Sequence, residues 1–166
     1  MRRNRYGSFR LFFLLATLVA LPAAGCEIEP YEEPRQIDDP LELPPPADAL
    51  EAAIRERAPN EAMLMIPHEP VVRGELPEGQ RRDFTSVLRA GLCYKVLAQG
   101  GPGVQDLDVV VYSPENVLLQ RDATESDRPV IGTRRAICPA ETGLYRVEIR
   151  MARGGGTYAA QLWVSQ

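Results

Sequence analysis

Leu144-Tyr145-Arg146-Val147-Glu148-Ile149-Arg150-Met151 decides the fold class of this chain. Tyr145, Val147, Ile149 and Met151 alternate with Arg146, Glu148 and Arg150. A period of two puts the apolar side chains on one face of an extended strand and the charges on the other, as in an antiparallel strand half-buried on a core. The following segment repeats the pattern, with Tyr158, Ala160, Leu162 and Val164 on one face and Gln161 and Trp163 on the other. Between them Gly154-Gly155-Gly156 reads as a hairpin turn, because glycine supplies the positive φ that tight turns require.

Further strands are predicted at 71–76, 83–88, 92–98, 107–112, 117–120 and 130–137. Pro77-Glu78-Gly79, Gly100-Gly101-Pro102-Gly103, Ser113-Pro114-Glu115-Asn116 and residues 139–143 punctuate them. About eight short strands without a second long helix indicate an all-β fold, a jelly-roll-like antiparallel β-sandwich over residues 70–166. Residues 48–69 read as a short helix and connector. Asp48 is its N-cap and Glu51 occupies the capping-box position, and the helix is expected to end near Arg57, before Pro59. Leu50, Ala53 and Ile54 share one face, so this helix either packs on the domain or ends a stalk. Met63-Leu64-Met65-Ile66 reads as a buried strand or loop anchor.

The chain has 166 residues, 19 basic and 23 acidic, with 45% hydrophobic and 25% charged side chains. Its net charge of -4 gives no electrostatic basis for binding nucleic acid, and a single histidine excludes multi-histidine metal sites. Arg2, Arg3, Arg5 and Arg10 precede the uncharged run 11–21, the layout of a signal peptide. As a helix that run is roughly 16 Å long, against about 30 Å of bilayer hydrocarbon. Leu21-Pro22-Ala23-Ala24-Gly25-Cys26 resembles the lipobox of bacterial lipoproteins. The resemblance implies a signal peptide over 1–25, acylation of Cys26 with palmitate-type chains, and a membrane partner reached through that lipid. Glu27, where aspartate favours inner-membrane retention in that family, points to the outer membrane. The alternative is an ordinary signal peptide that leaves Cys26 as a thiol. After Cys26, residues 27–47 hold six prolines and seven acids against Arg35 alone, so 26–47 is expected to be a disordered, extended linker.

Asp106-Leu107-Asp108-Val109-Val110-Val111-Tyr112-Ser113-Pro114-Glu115-Asn116-Val117-Leu118, then Gly143-Leu144-Tyr145-Arg146-Val147-Glu148-Ile149, then Gly156-Thr157-Tyr158-Ala159-Ala160-Gln161-Leu162, resemble in order the strand motifs of the bacterial pre-peptidase C-terminal domain. Asn116 stands where that family commonly has a turn glycine, and asparagine accepts the left-handed conformation. The resemblance implies a non-catalytic β-sandwich with a binding, positioning or folding role. Cys93 opens one strand and Cys138 closes another, and in an exported protein they are expected to form a disulfide rather than remain two reduced thiols.

Asp106 and Asp108 at a strand entry, with Asp122, Glu125 and Asp127 in a later loop, are the candidate calcium ligands, the one cofactor the sequence raises. The alternative is turn capping through backbone amides. His68, between Pro67 and Pro70, reads as part of an exposed connector, and no nucleophile motif accompanies it. Tyr112 and Trp163 are candidates for stacking on sugars or for ordinary packing. Arg134-Arg135 and the Arg146/Arg150 pair read as solvated strand faces, with polyanion contact as the functional alternative. Taken together, the chain is expected to be a lipid-anchored envelope protein whose sandwich binds an envelope protein or polysaccharide and catalyses nothing. The alternatives are a calcium- or glycan-dependent adhesin-like domain and an accessory subunit of an exported hydrolase.

Overall fold

The computed structural model describes residues 43–122 and 124–166. The expected signal peptide, the Cys26 lipobox and the linker as far as residue 42 lie outside the described residues. Among the described residues one helix, α1 (Ala49–Glu61), precedes nine strands. These are β1 (Met65–Pro67), β2 (Val72–Leu76), β3 (Arg81–Leu88), β4 (Tyr94–Gly100), β5 (Val104–Tyr112), β6 (Leu118–Arg121), β7 (Val130–Ile131), β8 (Gly143–Gly154) and β9 (Gly156–Ser165).

All pairings are antiparallel. β1 and β2 share one edge of β9, whose other edge carries β4 and then β7. The second sheet runs β3-β8-β5-β6. With β1 set aside, the two orders, β2-β9-β4-β7 and β3-β8-β5-β6, are those of a jelly roll, so the expected β-sandwich is the fold. Tyr145, Val147, Ile149 and Met151 point inward from one sheet and Tyr158, Ala160, Leu162 and Val164 from the other, all in one buried cluster.

That opposition corrects the expected hairpin. β8 and β9 belong to different sheets and face each other across the core. Alternation alone fits either arrangement, because it states which side chains point to the core and not which strand lies alongside. The three glycines make the corner between the sheets. Gly154 has φ 83°, and a Cβ there would lie 2.3 Å from the Gly103 carbonyl oxygen. At Gly156 a Cβ would come within 2.8 Å of the Pro102 carbonyl oxygen. The Gly100–Gly103 turn is thus the surface against which the corner folds.

α1 starts as expected, with the Asp48 carboxylate accepting the Glu51 amide at 2.8 Å. It does not stop before Pro59 but runs to Glu61. Proline in the last turn forfeits little regular bonding, and packing outweighs the loss. Ile54, Ala58 and Ala62 bury against Leu97, Ala159 and Trp163 on the outward face of the sheet that contains β9. The Lys95 ammonium donates to the Glu61 carbonyl at 2.7 Å, satisfying an end that the helix cannot bond itself. The Arg73 guanidinium of β2 bonds both Asp48 and Glu51, which ties the helix start to the sheet.

Two other expectations change. Met63 and Leu64 are 68% and 88% exposed, because they form the turn that leads from α1 into β1, with Leu64 at φ 60°. Of the strand expected over 130–137, only Val130–Ile131 forms. Gly132 at φ 92° breaks it, and Ile137 returns as an isolated bridge to Tyr94. Cys93 and Cys138, the neighbours of that bridged pair, form the expected disulfide.

Replacing both cysteines by alanine is expected to cost about 3–4 kcal/mol in urea unfolding, from the loop-closure entropy returned to the unfolded chain. Gly79→Ala is expected to cost only about 1–2 kcal/mol, since Gly79 has φ 76° but open space around it. Gly154→Ala, which adds a backbone collision to a similar φ, should cost at least about 3 kcal/mol in the same measurement. Equal losses at the two glycines would contradict the sheet-crossing corner.

Candidate binding face

The two outward faces of the sandwich are unlike. One lies beneath α1. The other, the outward face of β3-β8-β5-β6, has no element over it among the described residues. Register places Asp83, Val110 and Glu148 side by side across β3, β5 and β8, with Thr85, Tyr112 and Arg146 in the row on one side of them and Arg81, Asp108 and Arg150 in the row on the other.

Glu148 is the hub of this face. It is 1% exposed although it points away from the core. Arg150 donates to its carboxylate at 2.9 Å, and Arg146 and Arg81 lie at 3.5 Å. The arginine stems lie over the acid while their charged ends reach water. Arg146 also bonds Asp83 at 3.0 Å and the Asn116 side-chain oxygen at 2.7 Å, and its guanidinium sits 3.8 Å from the centre of the Tyr112 ring. Asn116 has φ 63°, the left-handed geometry expected of it, and the Asn116 amide closes the turn onto the Ser113 carbonyl at 2.9 Å.

Beyond the Arg146–Tyr112 row the face becomes apolar. Val87 pairs directly with Leu144, and they are 45% and 60% exposed. Pro114 lies against Gly143, where a Cβ would approach its Cγ to 2.7 Å, and the turn it belongs to presents Val117 and Leu118. An apolar strip therefore borders a lattice of arginine, carboxylate and tyrosine.

The expected calcium ligands are distributed as follows. Asp106 and Asp108 lie two residues apart on β5, and Asp106 has one carboxylate oxygen without a hydrogen-bond partner. Asp122 accepts from the Thr124 amide at 3.2 Å and the Thr124 hydroxyl at 2.7 Å, an Asx-type turn cap. Asp127 accepts from Gln99 at 3.2 Å, and Glu125 reaches Arg153 at 3.5 Å. Among the described residues no group of three or more His, Cys, Asp or Glu side chains is arranged to hold a metal ion. Burial pushes the Asp108 carboxyl above its ordinary range, reinforced by the charges of Asp106 and Asp122 and opposed by Arg121 and Arg150.

His68 is not part of an exposed connector. The His68 amide donates to the Leu162 carbonyl and so prolongs β1. Its ring stands edge-on to Tyr94, 5.1 Å between centroids, with Nε2 3.1 Å from the Val87 carbonyl oxygen. Ser86 donates to Glu69 at 2.9 Å rather than to an imidazole. Trp163 is 5% exposed beneath α1, so it packs and presents no ring to a sugar. The hub role of Glu148 was not anticipated, although opposite charges two residues apart on one strand face, Arg146, Glu148 and Arg150, carried its signal.

A raised carboxyl pKa in the folded state means that Asp108 binds its proton more tightly when folded. Its contribution to stability is therefore lost as pH rises through the carboxylate range. Asp108→Asn is expected to raise the Tm at pH 7, with the gain disappearing below about pH 4. A pH-independent gain would assign the effect to something other than the charge.

No family model matches the sequence, and no curated protein matches it. Among solved structures the chain is similar to PliG of Aeromonas hydrophila, a periplasmic lysozyme inhibitor of g-type lysozyme, with 18% identity and a TM-score of 0.40, over 60% of this chain and 86% of that one.

Proposed function

We propose that this chain is a lipid-anchored, non-catalytic binding protein of the bacterial cell envelope, carried on the 26–47 linker and engaging an exported protein through the uncovered face of β3-β8-β5-β6. The observation that carries this reading is the composition of that face. Val87, Val117, Leu118 and Leu144 are four of the nine large apolar side chains exposed among the described residues; Val87 and Leu144 pair directly, and Leu118 pairs with Tyr112 on the same sheet. They border Arg146 and Tyr112, residue types that contribute disproportionately to protein interfaces, with a charged rim beyond.

A protein partner is favoured over a polysaccharide because the aromatic rings are committed elsewhere, Trp163 under α1 and Tyr112 to Arg146. The non-catalytic reading is supported by the commitments of Ser86 to Glu69 and of His68 to Tyr94 and the Val87 carbonyl. Among the described residues no helix is long and apolar enough to cross a membrane. In this reading the acyl chains on Cys26 supply the anchorage, at about 0.8 kcal/mol per buried methylene.

A photo-crosslinking residue placed at Leu144 in the full-length protein, in living cells, is expected to capture one exported protein that the same residue at Met63 does not. Leu144→Asp with Val87→Asp should abolish co-purification of that protein. Identical products from both positions would overturn the assignment of the face. Fatty-acid label is expected on the wild type and absent from Cys26→Ser, and equal label on both would overturn the anchorage.

A further inference from the structure

Beside the exposed face, at the edge formed by β6 and β7, a cleft of about 540 Å³ opens between Gln120–Asp122 and the loop that follows Ile131. Arg121, Arg134 and Arg135 line it. Eight other arginines hold carboxylates in ion pairs, whereas these three, like the separate Arg82 and Arg89, have no ion-pair partner among the described residues. Three arginines lining one concavity bring like charges to it, which is unfavourable unless an anion lies among them. A protein of net negative charge that gathers cations in this way gains from an anion placed between them.

The cleft is held in shape by hydrogen bonds that leave the guanidinium groups free. Gln120 donates from Nε2 to the Arg135 carbonyl at 2.8 Å, and its Oε1 accepts the Gly132 amide at 3.1 Å. The Thr133 hydroxyl donates to the Val130 carbonyl at 3.0 Å. Gly132 has φ 92°, and a Cβ there would come within 2.8 Å of Lys95 Cγ, so the loop needs glycine to lie this close to β4. Ile137 is bridged to Tyr94, and the adjacent disulfide fixes the far end. The one carboxylate in the lining, Asp122, is turned to Thr124. No aromatic ring lines the cleft, so recognition here is by charge and hydrogen bonding and not by stacking.

We infer that this cleft binds a small polyanion of saccharide size, whose clustered phosphate or carboxylate groups are gripped by Arg121, Arg134 and Arg135. The volume falls within the range of small-molecule sites, and three guanidinium forks match the oxygens of two or three such groups. The inference does not rest on Val87, Leu144 or Arg146, the residues that carry the protein-binding face, although Arg121 stands in register with Val110 at the β6 edge of that face.

The test uses the full chain in neutral detergent and titration calorimetry with inorganic tripolyphosphate and with tetragalacturonate, one phosphate and one carboxylate probe. Binding of at least one probe is expected, weakened at least tenfold by Arg134→Gln with Arg135→Gln. Arg82→Gln with Arg89→Gln changes the net charge equally and should leave it within twofold. Gln120→Ala removes no charge but releases the loop, and is expected to weaken binding at least threefold while the Tm shows the fold intact. Absence of binding by both probes would overturn the inference, as would equal losses in the two double variants, which would mean diffuse charge attraction. Binding to vesicles containing anionic phospholipid, with no binding of either soluble probe, would overturn it in favour of a membrane surface. Loss of the Leu144-dependent crosslink leaves all these outcomes unchanged, so the two readings fail separately.

Discussion

The close approach of Gly154 to the Gly103 carbonyl, at a point where no Cβ fits, lets β8 leave one sheet and β9 enter the other. The two longest strands among the described residues thereby become interior strands of opposite sheets. β8 is flanked by β3 and β5, and β9 by β4 on one side and β1 with β2 on the other. Each contributes four inward side chains to the same core. A hairpin at the same place would put those eight residues on one face of one sheet and leave no second layer to cover them. The rest of the jelly roll builds outward from that crossing, with β1, β2 and β4 bonded to β9 and β3 and β5 to β8, and with β7 and β6 then added on β4 and β5.

The crossing also decides how each outward face is finished. Leu97, Ala159 and Trp163 leave the β9 sheet apolar on its outer side, a surface that water does not tolerate uncovered, and α1 covers it with Ile54, Ala58 and Ala62. Alanines on both surfaces let helix and sheet approach closely. The helix is held in place at its start by Arg73, and the Glu51 amide together with that guanidinium keeps the Asp48 carboxyl below its ordinary range. The β8 sheet needs no such cover, because its outer side is built of charges that neutralise one another around Glu148. Only its Val87–Leu144 end departs from that rule, and this departure makes it the candidate contact surface.

Much of this was legible in the residues. The alternation in 144–151 and 158–164 identifies every inward side chain of β8 and β9 correctly, and Asn116 and the cysteine pair take the conformation and the bond expected of them. What was not legible is partnership across space. A period of two is identical for hairpin neighbours and for strands that face each other through a core. Pro59 signals a helix end, yet Ala58 and Ala62 gain more from burial than the last turn loses. Gly132 reads as one glycine within a long strand, and only its contact with Lys95 shows that it is the point where the chain leaves the sheet. His68 between prolines reads as exposed until Leu162 is seen to bond its amide.

The arginines make the same point for function. Arg146 with Arg150 and Arg134 with Arg135 carry similar local signals, basic pairs within four residues of each other near a strand, and in sequence both read as solvated faces. Their partners separate them. Arg146 and Arg150 close over Glu148, so their charge is already balanced and they serve the architecture of the sheet. Arg134 and Arg135 have no such partner and join Arg121, from a different strand, in a cleft whose walls are held by Gln120. An opposite charge on the same strand face, here Glu148, converts a basic pair into structure, and the lack of one leaves the pair available to a ligand. The role of a surface charge therefore follows from its neighbours in the fold, which is why the cleft is visible only once β6 and the 132–135 loop are placed side by side.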